Sequence, residues 1–122
     1  MTSVIDRAPF RLSRTPDEIE LLAKYFRALG HPARLRILDA LATHGELTVS
    51  EVVEEVELPQ PKVSDHLACL RWCGFVETRR EHRTVKYRSA DGRVAEVIAL
   101  ARELLHENAE HVAACCHVGD AR

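Results

Sequence analysis

Long apolar runs are missing from this chain: no stretch approaches the 18 to 20 residues of a membrane-spanning helix. Aromatic residues make up only 5% of the 122 positions, while Ala, Leu, Glu and Arg abound, a balance that favours a mostly helical fold. There is no Cys-x-x-Cys, no Gly-rich phosphate loop and no nucleophile–base constellation, which excludes a small thiol oxidoreductase or a hydrolase. Internal repeats and low-complexity segments are absent too. The opening residues, "MTSVIDRAPFRLSRTPDE", lack an apolar h-region followed by a small-residue cleavage site, which predicts a cytoplasmic protein. In that reducing compartment the four cysteines are expected to be metal ligands, catalytic groups or core residues rather than disulfides.

What is present is a single-domain length with 46% apolar and 30% charged residues, enough for a modest core. The net charge of −2 argues against nucleic acid, but its distribution argues for it. Residues 60–90 carry Lys62, Arg71, Arg79, Arg80, Arg83, Lys86 and Arg88 against Asp65, Glu77 and Glu81, a balance of +4. Each flank carries −3. A basic segment between acidic flanks is the footprint of a polyanion-binding element, unless it is a solvated charged hairpin.

Periodicity supplies the elements. Residues 1–14 show none and read as a flexible N-terminal arm, with Arg7, Arg11 and Arg14 within it. Thr15-Pro16-Asp17-Glu18 predicts a helix start with Thr15 as N-cap and Glu18 closing a capping box. Ile19, Leu22, Ala23, Phe26 and Leu29 follow at helical spacing until Gly30. A second helix after Pro32 is expected to bury Leu35, Leu38 and Leu41, and a third from about Thr48 to place Val49, Val52, Val53 and Val56 inward. The turn "LPQP" leads to a fourth helix, about Gln60 to Cys73, with Val63, Leu67 and Leu70 as its core stripe and Gly74 as its stop. Two short helices across a tight turn read as helix-turn-helix, whose second helix enters a major groove.

"FVETRREHRTVKYRS" then reads as a hairpin, Phe75-Val76 and Thr84–Tyr87 being strands and "REHR" the turn. Its Arg-rich exposed positions suit a wing on the DNA backbone. A long amphipathic helix ends the pattern, with Val94, Val97, Ile98, Ala101, Leu105 and Val112 along one stripe. The expected fold is mainly α with a small β-hairpin: a winged helix-turn-helix of order α-α-α-α-β-β-α spanning 15–114, with 115–122 as a C-terminal tail. Gln60, Lys62, Ser64, Asp65 and His66 then lie where base contacts concentrate, and Arg79, Arg80, His82, Arg83 and Lys86 supply the wing.

The stretches "FRALGHPARLRILDAL" (26–41), "VSDHLACLRWCGFVETRR" (63–80) and "KYRSAD" (86–91) resemble the ArsR/SmtB family of metal-responsive bacterial repressors. The resemblance covers about residues 19–116. Its most specific part is V-S-x-H-L-x-x-L-R followed by Gly, an apolar pair and a basic wing. It implies a homodimer joined through the first and last helices, here by Leu22, Phe26, Val94, Val97, Ile98, Ala101 and Leu105. It also implies that the metal-free protein binds double-stranded operator DNA and that metal releases it. Neither a membrane nor a small organic substrate is an expected partner.

The family places its metal sites in three known arrangements. Where many members carry Cys-x-Cys in the third helix, this chain has Thr48 and Ser50. Where others place Asp-x-His and His-x-x-Glu in the last helix, it has Asp91, Arg93, Leu104 and Glu107. "HLACLRWCG" (66–74), however, is similar to the recognition helix of the family's cadmium/lead sensors, which adds one tail cysteine to two helix cysteines of this spacing. The tail cysteine falls at about Cys115; Cys116 and His117 follow directly, so the third ligand is Cys115 or Cys116.

Physical spacing agrees with the resemblance. Cys69 and Cys73 are one turn apart, with Cβ atoms about 5–6 Å from each other, close enough to close on one ion. An all-thiolate site selects soft ions: Cd(II) or Pb(II) first, with As(III), Hg(II) or Zn(II) by the same logic. The competing readings are half-buried packing, and a thiol-oxidation switch using the same cysteines in the same kind of repressor. His66, one turn before Cys69, is either a fourth ligand or a packing or DNA-side residue. His106, His117 and Asp120 have a zinc-like spacing out of register with the family's. A helical adaptor that binds protein instead of DNA is the remaining alternative, and the Arg-rich wing speaks against it.

Overall fold

The computed structural model describes residues 16–115. Five helices, α1 (Glu18–Leu29), α2 (Pro32–His44), α3 (Val49–Val56), α4 (Gln60–Trp72) and α5 (Gly92–Ala114), surround a sheet of β1 (Glu46–Leu47), β2 (Val76–Glu81) and β3 (Thr84–Ser89). The strand order is β1-β3-β2, antiparallel throughout. This is the expected mainly helical, winged arrangement with one addition. The two-residue strand β1, which pairs Glu46 with Arg88 and Leu47 with Tyr87, is too short to carry an alternation signal.

The start of α1 differs from the capping box expected at Thr15, which itself lies outside the described residues. Asp17 is the N-cap, its carboxylate accepting the Glu20 N–H at 2.8 Å. A charged acceptor at the positive end of a helix is the stronger cap. The capping box the molecule does contain is on α3, where Thr48 and Glu51 exchange hydrogen bonds of 2.9 and 3.2 Å.

In α2 the inward side is Ala33, Ile37, Leu38, Ala40 and Leu41; Leu35 is only half-buried. The helix lies deeper in the fold than one Leu stripe implied, because α3, α4 and β3 all pack on it. Within α4, Val63, Leu67 and Leu70 are fully buried, as expected. The helix ends in a Schellman motif: Phe75 N–H donates to the Leu70 carbonyl at 2.9 Å and Gly74 N–H to the Arg71 carbonyl at 3.1 Å. Gly74, at φ +86°, supplies the left-handed residue the motif requires. Cys73 is thus the C-cap, and Phe75 is driven into the core instead of starting a strand.

The hairpin turn is narrower than "REHR". Arg80 and Glu81 remain in β2, and only His82, at φ +57°, and Arg83 lie between the strands. The core joins α2, α3, α4, Phe75 and Val76, with Ala28, Leu29 and Val94 at its edge. Along α5 only Val94 is buried and Ile98 half-buried; Val97, Leu100, Leu104, Leu105 and Val112 are all more than 40% exposed. No helix among the described residues is long and apolar enough to cross a membrane.

Candidate functional site

The burial of Val63, Leu67 and Leu70 fixes what α4 shows to solvent. Gln60, Lys62, Ser64 and Asp65 are exposed in its first turns. Pro59 at the N-cap position offers no side-chain hydrogen bond, so this end of the helix carries no capping carboxylate that would repel a polyanion. His66 departs from its neighbours. It is half-buried, its Nδ1 accepts a hydrogen bond from Arg34 Nε at 3.2 Å, and its ring lies 4.5 Å from that of His31. Burial, then His31 and Arg34, hold its pKa below the ordinary imidazole value. Arg34 Nη1 also donates to the Ala28 carbonyl at 3.2 Å, tying the end of α1 to α4 through α2.

The wing sorts its cations into two groups. Arg79 grips Glu46 through two hydrogen bonds of 2.8 and 3.0 Å, spanning the central strand from β2 to β1, and reaches Glu81 at 3.1 Å. Arg88 pairs with Glu77 at 2.7 Å, and Lys86 with Glu81 at 3.4 Å. The Arg79 guanidinium holds the Glu46 carboxyl below the usual range. Among the described residues, Lys62, Arg71, Arg80 and Arg83 form no ion pair. The expected DNA-facing cations are thus present, but Arg79 and Lys86 are partly occupied within the sheet. Arg80 and Arg83 project from the tip beside His82.

The two thiols of α4 are neighbours one helical turn apart. Cys69 and Cys73 are both half-buried and free, and the Cys73 backbone N–H donates to the Cys69 carbonyl at 3.0 Å, which sets that spacing. Burial first, and Cys69 second, push the Cys73 thiol up from its ordinary pKa. Lys24 of α1 and Arg34 of α2 oppose that shift. Tyr25 of α1 stacks on Phe75 at 4.3 Å and senses Cys73 electrostatically.

Two neighbouring thiols suit a soft ion, but among the described residues no three His, Cys, Asp or Glu side chains converge on one point. Cys115 is the half-buried C-cap of α5 and is not brought to the pair. Cys116, His117 and Asp120 lie outside the described residues. The last-helix arrangement is closed off: Asp91 caps α5 and is clamped by Arg93, at 2.8 to 3.2 Å, so its carboxyl is held down at about 2.

Sequence reasoning missed Arg34, His31 and Arg36. Their only signal was a run of basic and imidazole side chains in "HPARLR", and nothing local says that this segment abuts the recognition helix.

An exposed helix set on a buried stripe, followed by a basic hairpin, defines a winged helix-turn-helix DNA-binding domain. Residues 31–78 match the model of bacterial regulatory proteins of the arsR family. A probable mercury resistance operon repressor of Streptomyces lividans is 42% identical over 96 residues, covering 79% of this chain and 76% of that protein. The crystal structure of Mycobacterium tuberculosis Rv0081 superposes with a TM-score of 0.73 at 33% identity, over 82% of this chain and 100% of the other. The NMR structure of the homodimeric winged helix-turn-helix DNA-binding domain of Mb0332 from Mycobacterium bovis gives 0.68 at 32% identity, over 82% of this chain and 95% of that one. The chain belongs to the ArsR family of bacterial regulators. It is a DNA-binding regulator of transcription and not an enzyme.

Proposed function

We propose that this protein is a cytoplasmic, homodimeric repressor that releases its operator when a soft metal ion binds Cys69 and Cys73 together with a tail thiolate. The observation that carries this reading is the pair of half-buried free thiols one turn apart on α4, the helix whose first turns present Gln60, Lys62, Ser64 and Asp65 to solvent. A dianionic pair bound there changes the charge and position of the helix that reads DNA. The third thiolate is Cys115 or Cys116, contributed by the same chain or by a second copy. The homodimeric relative supports the second arrangement, as do the exposed apolar faces of α1 and α5. These faces carry Leu22, Phe26, Val97, Ala101 and Leu105, five of the seven residues expected in the interface; the other two, Val94 and Ile98, pack instead against the protein's own core, Val94 buried and Ile98 half-buried.

Bound metal supplies charge neutralisation and a tether between elements; the protein supplies thiols that must first lose their protons. Cd(II) and Pb(II) are the first ions to test, and the mercury resistance relative adds Hg(II).

The test uses reduced protein and an operator selected from a random-sequence duplex pool. Titration with Cd(II) should raise the ultraviolet thiolate charge-transfer band and release the duplex. A coupling of about 1–3 kcal/mol weakens DNA binding roughly 5- to 150-fold. Cys69→Ser and Cys73→Ser should each bind DNA normally and lose the response. Release by peroxide and by no metal would replace this reading with the thiol-oxidation sensor.

A further inference from the structure

Beside the recognition helix, between its flank and the start of α2, lies an open groove of about 450 Å³ lined by His31, Arg36, Lys62, Asp65 and His66. Its polar lining is unusually one-sided. His31 Nδ1 accepts the Ala33 N–H at 3.2 Å, capping α2, and His66 Nδ1 accepts Arg34 Nε–H at 3.2 Å. A neutral imidazole that accepts at one nitrogen carries its proton on the other, so each ring offers an Nε2–H and no lone pair. That chemistry rejects a metal ion, whose ligands would have to be those same lone pairs. It suits an anion.

Arg36 and Lys62, both exposed, add two cations at the same groove. Asp65 is its one carboxylate, so the groove carries a net positive charge even with both imidazoles neutral. Its position narrows the identity of the anion. Lys62 and Asp65 belong to the first turns of α4, where a helix in the major groove touches base edges, so a strand read by those turns passes this groove.

We propose that the groove receives a backbone phosphate of the bound DNA, held by Arg36 and Lys62 as charges and by His31 and His66 through their Nε2–H groups. This contact rests on the DNA-binding role established above and deepens it. It reads no sequence; it fixes how far α4 enters the groove and at what register. It also ties α2 to α4, through the hydrogen bond from Arg34 to His66.

The experiment measures the salt dependence of binding to a mixed-sequence duplex spanning two half-sites, using the full reduced protein. Arg36→Ala should lower the slope of log K against log salt by about 0.9 per protomer, with the same loss on every sequence, and Arg36→Lys should retain most of it. In parallel, the side-chain nitrogen resonances of His31 and His66 should shift on adding duplex while remaining in the Nε2–H form. An unchanged slope in Arg36→Ala, alongside a reduced slope in the wing variant Arg80→Ala, would overturn the groove contact and leave DNA binding standing. Failure of the unmodified protein to bind any duplex would instead overturn the DNA-binding reading on which the contact rests.

Discussion

The middle of the molecule and its two terminal helices solve the same problem differently. From α2 to β3, most apolar side chains are hidden, Trp72 at 68% exposure being the large exception: Ile37, Val52, Val63, Leu67 and Leu70 have essentially no exposure, and Phe75 has 1%. The terminal helices leave theirs open. Twelve-residue α1 buries only Ala28 and Leu29, with Ile19 at 71% and Phe26 at 54% exposure; 23-residue α5 buries only Val94. The middle is a finished core that holds the recognition helix rigid. The ends form an unfinished one, and an apolar patch of that extent marks an association surface. On the proposed dimer each copy completes the other, so the DNA-reading unit and the pairing unit can be perturbed separately.

The strongest test of that division is a cavity in the finished core. Leu67→Ala should cost about 2–5 kcal/mol at every protein concentration, read by urea denaturation followed by circular dichroism. A loss under 1 kcal/mol would mean α4 is held by something other than this packing.

Next comes the open face. Val97→Glu or Leu104→Glu should convert a dimer to a monomer in sedimentation while helicity largely persists. The parent's stability should fall by about 1.4 kcal/mol per tenfold dilution and the variants' should not. A parent that sediments as a monomer would remove the pairing half of the comparison altogether.

A smaller effect separates the wing's two kinds of arginine. Arg80→Ala should reduce the salt slope of DNA binding by about one unit per protomer. Arg79→Ala should reduce it less and mainly lower the thermal midpoint, because its guanidinium is already committed to Glu46 and Glu81. Equal slope changes would show that the sheet pairs open on DNA.

The smallest expected effect is a pH dependence inside the finished region. His66 is depressed below the ordinary imidazole value, so the folded state binds fewer protons than the unfolded one near that pH. Its contribution is present above about pH 6.5 and is lost as pH falls through the lower folded value. His66→Gln should flatten the thermal midpoint between about pH 7 and 5, since Gln can still accept from Arg34. A midpoint profile identical to the parent's would rule out this packing as its source.

Much of this was legible in the chain. Period-3.6 spacing placed all five helices, and the Val63, Leu67 and Leu70 stripe declared which face of α4 is buried, because an amphipathic helix carries its orientation in its own sequence. The Cys69–Cys73 spacing placed both thiols on one edge of α4 for the same reason. Departures occurred where local signals compete or are too short. Asp17 displaced Thr15 as a cap, Ile37 rather than Leu35 filled the core, and β1 has only two residues.

Tertiary structure alone decided which charges are available and which side chains meet. The sequence counts seven cations between residues 60 and 90, but only the register of β1, β3 and β2 commits Arg79, Lys86 and Arg88 to carboxylates and leaves Arg80 and Arg83 at the tip. Likewise His31, Arg34 and Arg36 reach α4 across more than two dozen residues of chain, since packing of α2 on α4 depends on how separate amphipathic faces close together. Helical periodicity is a local property written in every turn; proximity between turns is settled by the core they share.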